Sequence, residues 1–328
     1  MNGAMNCFVV NPTAGKGGGK AALIERIKEV CERLCEKYEI HITTKKGDAI
    51  EYVRRKSEES KDTPVRFYAC GGDGTLNEVA NGIVGCGNAS LGAIPAGTGN
   101  DFIKSFSNNE IFSDIEAQLC GKPKVIDIIK FGKKVCLNVL NIGLDCNVVA
   151  EMKKIRQKIN VPNKIAYTLG VVKSFFGKFG RRYCISYDGD EPLDKTFTLV
   201  AFGNGSIYGG GYKAAPYASI DDGLIDACSV DKVSRGQFLS LVGKYKAGLH
   251  ADPEKKIDVV NYRKCKKIHF KADEPVGVCF DGEIEDYDEF DIEIIPGAMP
   301  FIVPRGSECL LTKDAVQVPE KYVYQEKL

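Results

Sequence analysis

The chain has 328 residues, 44% hydrophobic and 27% charged, with 45 Lys or Arg against 44 Asp or Glu and a formal net charge of +1. It is long enough for two domains with cores of their own and too evenly mixed to be disordered; with no global field for nucleic acid, that partner class is excluded from the expected reading. The 13 cysteines are odd in number, scattered and without a CxxC pair, and only 3 histidines accompany them. They read as small core hydrophobes in a reducing cytosol rather than as a disulfide framework or a zinc site. No leader-like start and no apolar run near the roughly 18 residues of a membrane span is present, so a cytoplasmic chain is expected, at most peripheral at the inner face of the membrane.

Asn6 to Val10 is a short apolar run that leaves into Asn11, Pro12, Thr13, Ala14, Gly15, Lys16 and three further glycines. Apolar residues then recur at helical spacing from Leu23 to Cys35, so strand, glycine loop and helix follow one another. A Walker A loop is the first comparison, and it fails. GKGGGK is one residue short, and Ala21 stands where the magnesium-binding Ser or Thr belongs. A phosphate-contacting loop remains, because the strand-to-helix context is the right one.

Ile40 to Thr44 reads as a second strand and Ala49 to Ser60 as a helix. Two similar units come next. Val65 to Cys70 runs into Gly71, Gly72, Asp73, Gly74 and Thr75, and Leu91 to Pro95 runs into Gly97, Thr98, Gly99, Asn100 and Asp101; each is expected to lead into a helix. Such glycines let backbone N–H groups approach a ligand, and a helix start adds unpaired donors and the positive end of its dipole. Alternating strands and helices give a parallel sheet with ligands at the carboxyl ends of its strands, the edge on which all these loops fall.

After Lys124 the texture changes. Val125 to Lys130, Val135 to Ile142, Tyr183 to Tyr187, Thr196 to Phe202, Ile225 to Val230, Lys267 to Phe270, Val276 to Phe280 and Asp291 to Ile295 read as strands, with helical interludes at Asn147 to Phe176 and Ser234 to Ala247. The expected layout is therefore an α/β nucleotide-binding domain over residues 1–124 and a mostly antiparallel β domain over 125–299. A last strand at Pro300 to Pro304, with the tail to 328, is a candidate to return to the first domain.

The stretches NPTAGKG at Asn11, GGDGTLNEV at Gly71, GAIPAGTGNDF at Gly92, GNGSIYGGGYKAAPYASIDDGLID at Gly203 and FDGE at Phe280 together resemble the diacylglycerol kinase catalytic family, in its soluble bacterial lipid kinase branch. Sphingosine, ceramide and NAD kinases are more distantly similar. The resemblance implies a Rossmann-like nucleotide domain followed by a β-sandwich, with the site in the cleft between them. It implies ATP as phosphoryl donor, Mg²⁺ as cofactor and a lipid alcohol as acceptor. Asn11 to Lys16, Gly71 to Asn77 (with Leu76 among them), Gly97 and Thr98 would cradle the nucleotide phosphates. Thr43 would contact the nucleotide by the same resemblance, with Thr44 one residue away.

Asp73, an acid among glycines, suits a carboxylate that holds the Mg²⁺ bridging the phosphates; a helix N-cap is the plainer alternative. Asp281 and Glu283 sit on a turn that composition alone would leave as a solvated hairpin. The resemblance assigns the proton acceptor for the lipid hydroxyl to Glu283, with Asp281 supporting, and leaves open whether Glu283 or Asp73 is the primary base. It also makes Asp222, with the carbonyls of Ser219 and Leu224, a structural Mg²⁺ loop, against the alternative of a plain surface turn.

Lys164 to Arg182 is basic and aromatic, which suits either an anionic membrane interface or a core helix with a solvated face. The expected activity is phosphorylation of diacylglycerol to phosphatidate. Phosphatidylglycerol, undecaprenol or a sphingoid base are alternative acceptors, and NAD kinase or a catalytically silent nucleotide sensor are competing readings. A homodimer is left open by the sequence.

Overall fold

The computed structural model describes residues 4–14, 19–97, 99–159, 161, 163–177 and 179–310. The chain separates into two units, one containing residues up to 128 together with 296–310, the other 129–295.

In the first unit, β1 (Met5–Val10), β2 (Tyr38–Ile42), β3 (Val65–Gly71) and β4 (Ala89–Pro95) form a parallel sheet in the order β2–β1–β3–β4. The end of a long strand, β13 (Glu283–Val303), adds a parallel neighbour to β4, with Phe301 opposite Leu91. Helices α1 (Gly19–Arg33), α2 (Asp48–Glu59) and α3 (Asp73–Ile83) make the crossovers.

Both sheet faces are covered, which is why β1, β3 and β4 read as largely apolar runs. On one face Phe8, Val10, Tyr68 and Cys70 pack with Ile27 and Cys31 of α1 and with Ile115 and Leu119 of the short α4 (Ile115–Leu119). On the other, Phe67 meets the edge of Tyr52 from α2 at 6.3 Å. There α3 lies so close to α2 that a Cβ on Gly82 would come within 2.7 Å of Val53.

The helix expected after the second glycine loop is replaced by 3-10 turns, Phe102–Ser105 and Asn109–Ser113, ahead of α4. The reason is aromatic packing: Phe102, Phe106 and Phe112 gather around Phe301 with ring centroids 5.3, 5.1 and 6.2 Å away. Residues spaced by four and then six do not share one face of a straight helix, and the chain bends at Asn108 (φ 45°) to bring them together.

The second unit is mostly antiparallel. It contains the end of β5 (Lys122–Phe131), then β6 (Lys134–Cys136), β7 (Val139–Gly143), β8 (Arg181–Tyr187), β9 (Leu193–Gly203), β10 (Ile225–Asp231), β11 (Val260–Cys265), β12 (Lys267–Phe280) and most of β13. The long strands β9 and β12 flank β7 and β8, which lie end to end between them. Alternation decides the two faces. Leu140, Val200 and Phe202 join a core rich in aromatics with Phe270, Phe280 and Phe290, whereas Val139, Leu199 and Ala201 face Tyr208, Tyr245 and Tyr262.

Four expectations change here. Val135 to Ile142 is two strands, because the turn at 137–138 gives its N–H groups to a side chain described below. Lys267 to Phe270 and Val276 to Phe280 are one strand with a register shift between Lys271 and Val276. The helical interlude is two helices, α5 (Leu144–Lys158) and α6 (Asn163–Phe176), and β11 has no counterpart among the expected strands. The second helical stretch is α7 (Arg235–Ala247), opened by a Ser234/Gln237 capping box and closed by Gly248 at φ 79°.

Behind α7, His250 is buried against Tyr245, and its Nε2 lies 3.2 Å from the Ala214 carbonyl oxygen. Burial holds its imidazole down to about 4. The unfolded chain takes up that proton near the ordinary value of about 6.5, so this contribution is full above pH ~6.5 and is lost as pH falls towards 4, by up to about 3 kcal/mol. Urea unfolding should show a smaller loss between pH 7.5 and pH 5 in His250→Phe than in the native chain. Equal losses would contradict this account.

Candidate functional site

The first unit gathers its loops at the carboxyl ends of β1, β3 and β4. The Asn11 side chain ties two of them: its amide donates to Thr75 Oγ1 at 3.1 Å, and its Oδ1 accepts from the N–H and hydroxyl of Thr13 at 2.9 and 2.8 Å. Thr43 joins the same edge, its N–H donating to the Val10 carbonyl at 3.0 Å. Thr44 is turned away to Asp48, whose carboxylate accepts its N–H and hydroxyl. Of the two threonines, Thr43 is therefore the one attached to the loop edge.

The glycine loops after β3 and β4 touch through bare backbone. A Cβ on Gly97 would lie 2.5 Å from the Gly72 Cα, and one on Gly71 would lie 2.3 Å from Thr75 Oγ1. Asp73 locks the pair: its Oδ1 accepts the N–H groups of Asp101 at 2.8 Å and Phe102 at 3.3 Å. The N-cap alternative for Asp73 is replaced, since α3 is capped by Gly72 with no side-chain bond and Asp73 reaches across to the neighbouring loop instead. Asp101, absent from the sequence-derived site, is buried beside it. A Cβ on Gly99 would meet Asp73 Oδ2 at 2.9 Å and Asp101 Oδ2 at 3.7 Å, so both carboxylates border one spot, with Lys104 bonded to Asp101 Oδ1. The signal was present in sequence as the acid closing GTGND.

Other positions divide by exposure. Pro12 and Thr13 are exposed, Ala14 and Gly74 partly so. Leu76 and Asn77 are buried; Leu76 packs as core, and Asn77 accepts from Asn81 through its carbonyl and its Oδ1. Gly15, Lys16 and Thr98 lie outside the described residues.

In the second unit, Asp281 (φ 46°) and Gly282 (φ 87°) form the two-residue turn between β12 and β13, a type I′ geometry, with Phe280 paired to Glu283. The expected supporting acid has a different immediate task. Asp281 is only 9% exposed, and its carboxylate accepts the N–H groups of Leu137, Asn138 and Val139 at 2.7, 3.0 and 3.3 Å and the Cys136 thiol at 3.2 Å. This is the side chain that splits β6 from β7. Glu283, half-exposed, faces Lys153 of α5 across 3.7 Å.

The Ser219–Asp222–Leu224 loop closes on a buried charge cluster. Asp222 Oδ1 accepts the Leu224 N–H at 3.1 Å, while the Lys264 ammonium donates to Asp222 Oδ2 at 2.8 Å, Asp226 Oδ2 at 2.6 Å and the Tyr217 carbonyl at 2.9 Å. Tyr262 donates to the other oxygen of Asp226. Burial pushes Asp226 up to about 6 and Asp222 upwards, in both cases against the pull of Lys264. Two carboxylates against one ammonium leave a surplus negative charge. Both oxygens of Asp222 are thus engaged, one by the Leu224 N–H and one by the Lys264 ammonium.

Two family models cover the chain in succession: a diacylglycerol kinase catalytic domain over residues 6–131 and a YegS C-terminal NAD kinase beta sandwich-like domain over residues 138–303. The chain belongs to the YegS-like lipid kinase family. A protein of Citrobacter koseri named a probable YegS-like lipid kinase is 30% identical over 307 residues, 88% of this chain and 94% of that one. A candidate lipid kinase of Staphylococcus haemolyticus is 28% identical over 299 residues, 88% and 94% of the two chains. The crystal structure of a candidate diacylglycerol kinase from Bacillus anthracis shares the fold, with a TM-score of 0.72, 24% identity, and 91% of this chain and 96% of that one covered.

For this lipid kinase the family implies ATP as donor, and the α/β nucleotide fold with its β-sandwich partner is the architecture described above. Among the described residues no three or more His, Cys, Asp or Glu form a metal cage. Mg²⁺ bound through one or two carboxylates and the phosphates would not require one, and the Asp73–Asp101 pair has that donor chemistry.

Two pairs of substitutions test the geometry. Gly97→Ala should lower unfolding stability by about 1–3 kcal/mol, because the added methyl would meet the backbone of Gly72 at 2.5 Å and Asn100 Oδ1 at 2.9 Å. Gly87→Ala, with nothing within 4 Å of its Cβ, should stay within about 0.5 kcal/mol in the same urea titration. Asp281→Ala strands three buried N–H groups and should cost at least about 2 kcal/mol, whereas Glu283→Gln should leave stability within about 0.5 kcal/mol. Equal stabilities of the two latter variants would refute the division of labour between these acids.

Proposed function

We propose that this lipid kinase transfers the γ-phosphoryl group of ATP to the primary hydroxyl of diacylglycerol, giving phosphatidate. The observation that carries the reading is the pair of glycine loops locked by Asp73, with a second carboxylate, Asp101, bordering the same spot. Backbone N–H groups at Gly72 and the start of α3 and the hydroxyl of Thr75 favour a triphosphate there, with Gly71, Gly97, Asn11 to Lys16, Thr43 and Thr98 as further contacts; the Gly97 N–H itself donates to the Gly71 carbonyl at 3.2 Å. Asp73 would hold the Mg²⁺ that, when bound, neutralises phosphate charge. Gly74 contributes through the first turn of α3; Leu76, whose N–H donates to the Gly72 carbonyl at 3.1 Å and whose side chain is buried, and Asn77 contribute by holding that turn.

Glu283 is assigned as acceptor of the hydroxyl proton. A half-exposed carboxylate on a fixed two-residue turn is available for that role, and Asp281 supports it by holding the turn. Since phosphoryl transfer proceeds through a loose transition state that needs little deprotonation, orienting the hydroxyl is the larger part of the task. Asp222, with the carbonyls of Ser219 and Leu224, is assigned a structural Mg²⁺. The acceptor lives in a bilayer, so the kinase is assigned to the inner membrane face as a peripheral protein. Among the described residues no helix is long and apolar enough to cross a membrane.

Labelled ATP presented with diacylglycerol, phosphatidylglycerol, undecaprenol and a sphingoid base in mixed micelles, and separately with NAD, decides the acceptor. Phosphatidate should be the main product; label on NAD alone would overturn the reading. Asp73→Ala and Glu283→Ala should each lower turnover at least about a hundredfold. Near-normal turnover in either would remove the role given to that residue.

A further inference from the structure

The near-zero net charge of the chain conceals a strong local imbalance. From Met152 to Tyr187 there are nine Lys or Arg and no Asp or Glu, and from Val233 to Ala251 three Lys or Arg and again no acid. The first segment carries the end of α5, all of α6 and all of β8; the second carries α7. Acids from elsewhere balance only part of this. Glu151 pairs with Lys154 and Lys173, Asp194 with Arg182, and Glu283 stands near Lys153.

The two segments meet. Phe175 and Phe179, at and just beyond the end of α6, pack on Phe238 of α7 with ring centroids 6.3 and 5.3 Å away. Arg235 clamps the junction, donating to the carbonyls of Phe175 at 2.9 Å and Gly177 at 3.0 Å while lying over the Phe179 ring. Next in sequence to the partly buried rings of Phe175 and Phe238 stand exposed apolar neighbours: Phe176 is 74% exposed and Leu239 61%. Among the described residues eleven large apolar side chains are exposed, and six of them, with Ile159, Ile165, Leu169 and Leu249 as the others, fall within these two acid-free segments.

We infer that the α6–α7 junction is a docking surface for an anionic lipid bilayer, with Phe176 and Leu239 as insertion anchors and the surrounding Lys and Arg as the electrostatic contact. This rests on the lipid-kinase reading only for its biological sense; its physical basis is the coincidence of surplus positive charge with protruding apolar side chains. Water gives no return on exposing a phenylalanine to this extent, whereas the headgroup boundary does, and each basic residue near an anionic surface adds electrostatic attraction. The basic, aromatic stretch Lys164 to Arg182 thus supplies only half of the surface. Its Phe175 and Phe179 hold α7 in place and are not anchors. Lys178 lies outside the described residues.

The full-length chain should sediment with vesicles containing about 30% phosphatidylglycerol and not with pure phosphatidylcholine, and added salt should weaken the binding. Phe176→Ser with Leu239→Ser should weaken vesicle binding at least tenfold with an unchanged melting temperature, since both side chains are exposed. Lys244→Glu with Lys246→Glu should do the same through charge. Phosphorylation of a water-soluble short-chain diacylglycerol should be the same in the Phe176/Leu239 variant as in the native chain, so a failed kinase reading shows as no product from the native chain while vesicle binding still tests the surface. Unaltered vesicle binding of the Phe176/Leu239 variant, indifference to lipid charge, or equally tight binding to an oligonucleotide would each overturn the inference.

Discussion

The contact on which the candidate site depends is backbone against backbone: the glycine loops after β3 and β4 approach until the Cα of Gly72 fills the place where Gly97 would carry a side chain. Glycine in these loops is commonly read as leaving room for a ligand. Here the first demand on that room comes from the protein itself, because two loops must share one sheet edge before either can present N–H groups in a common direction. Asp73 then fixes their spacing by accepting two N–H groups from the chain just after the second loop. A carboxylate held by backbone donors in this way has little freedom to move, and a residue that must position a cation benefits from that rigidity.

The second unit uses the same device. Asp281 takes three N–H groups from the turn between β6 and β7 and so anchors the type I′ turn that carries Glu283. In both units an aspartate bonded to backbone rigidifies a loop. In the first the anchoring carboxylate is itself the candidate for chemistry; in the second the anchor and the candidate are separate side chains two residues apart. Sequence alone does not separate these cases, since DGE reads identically whether its first acid faces solvent or the chain.

What was legible follows from the kind of signal. Parallel strands buried on both faces give largely apolar runs, and β1, β3 and β4 were recognisable for that reason, as were the glycine loops that end them. The strand β11 was not, because its sequence Val260–Cys265 contains Tyr262, Arg263 and Lys264. A lysine reads as surface, yet Lys264 is buried, since Asp222 on a loop and Asp226 in β10, some forty residues earlier, wait for it. Similarly, nothing local in Phe102 to Ser113 announces that its rings converge on Phe301, almost two hundred residues later, and that convergence is what breaks the expected helix into 3-10 turns. Asp101 was visible as a residue but not as a site residue; its closeness to Asp73 is a product of the loop-on-loop contact.

Charge gives the same lesson in another form. A net charge of +1 argues correctly against a global field, but association is governed by the local potential within a Debye length of about 8–10 Å. Segregating twelve basic residues into two acid-free stretches while the remaining acids lie elsewhere creates a polar molecule from a neutral one. A chain with the docking surface inferred above is well matched by that arrangement. The long-range term orients it, the exposed Phe176 and Leu239 act only at contact, and neither commits the whole chain to permanent attachment.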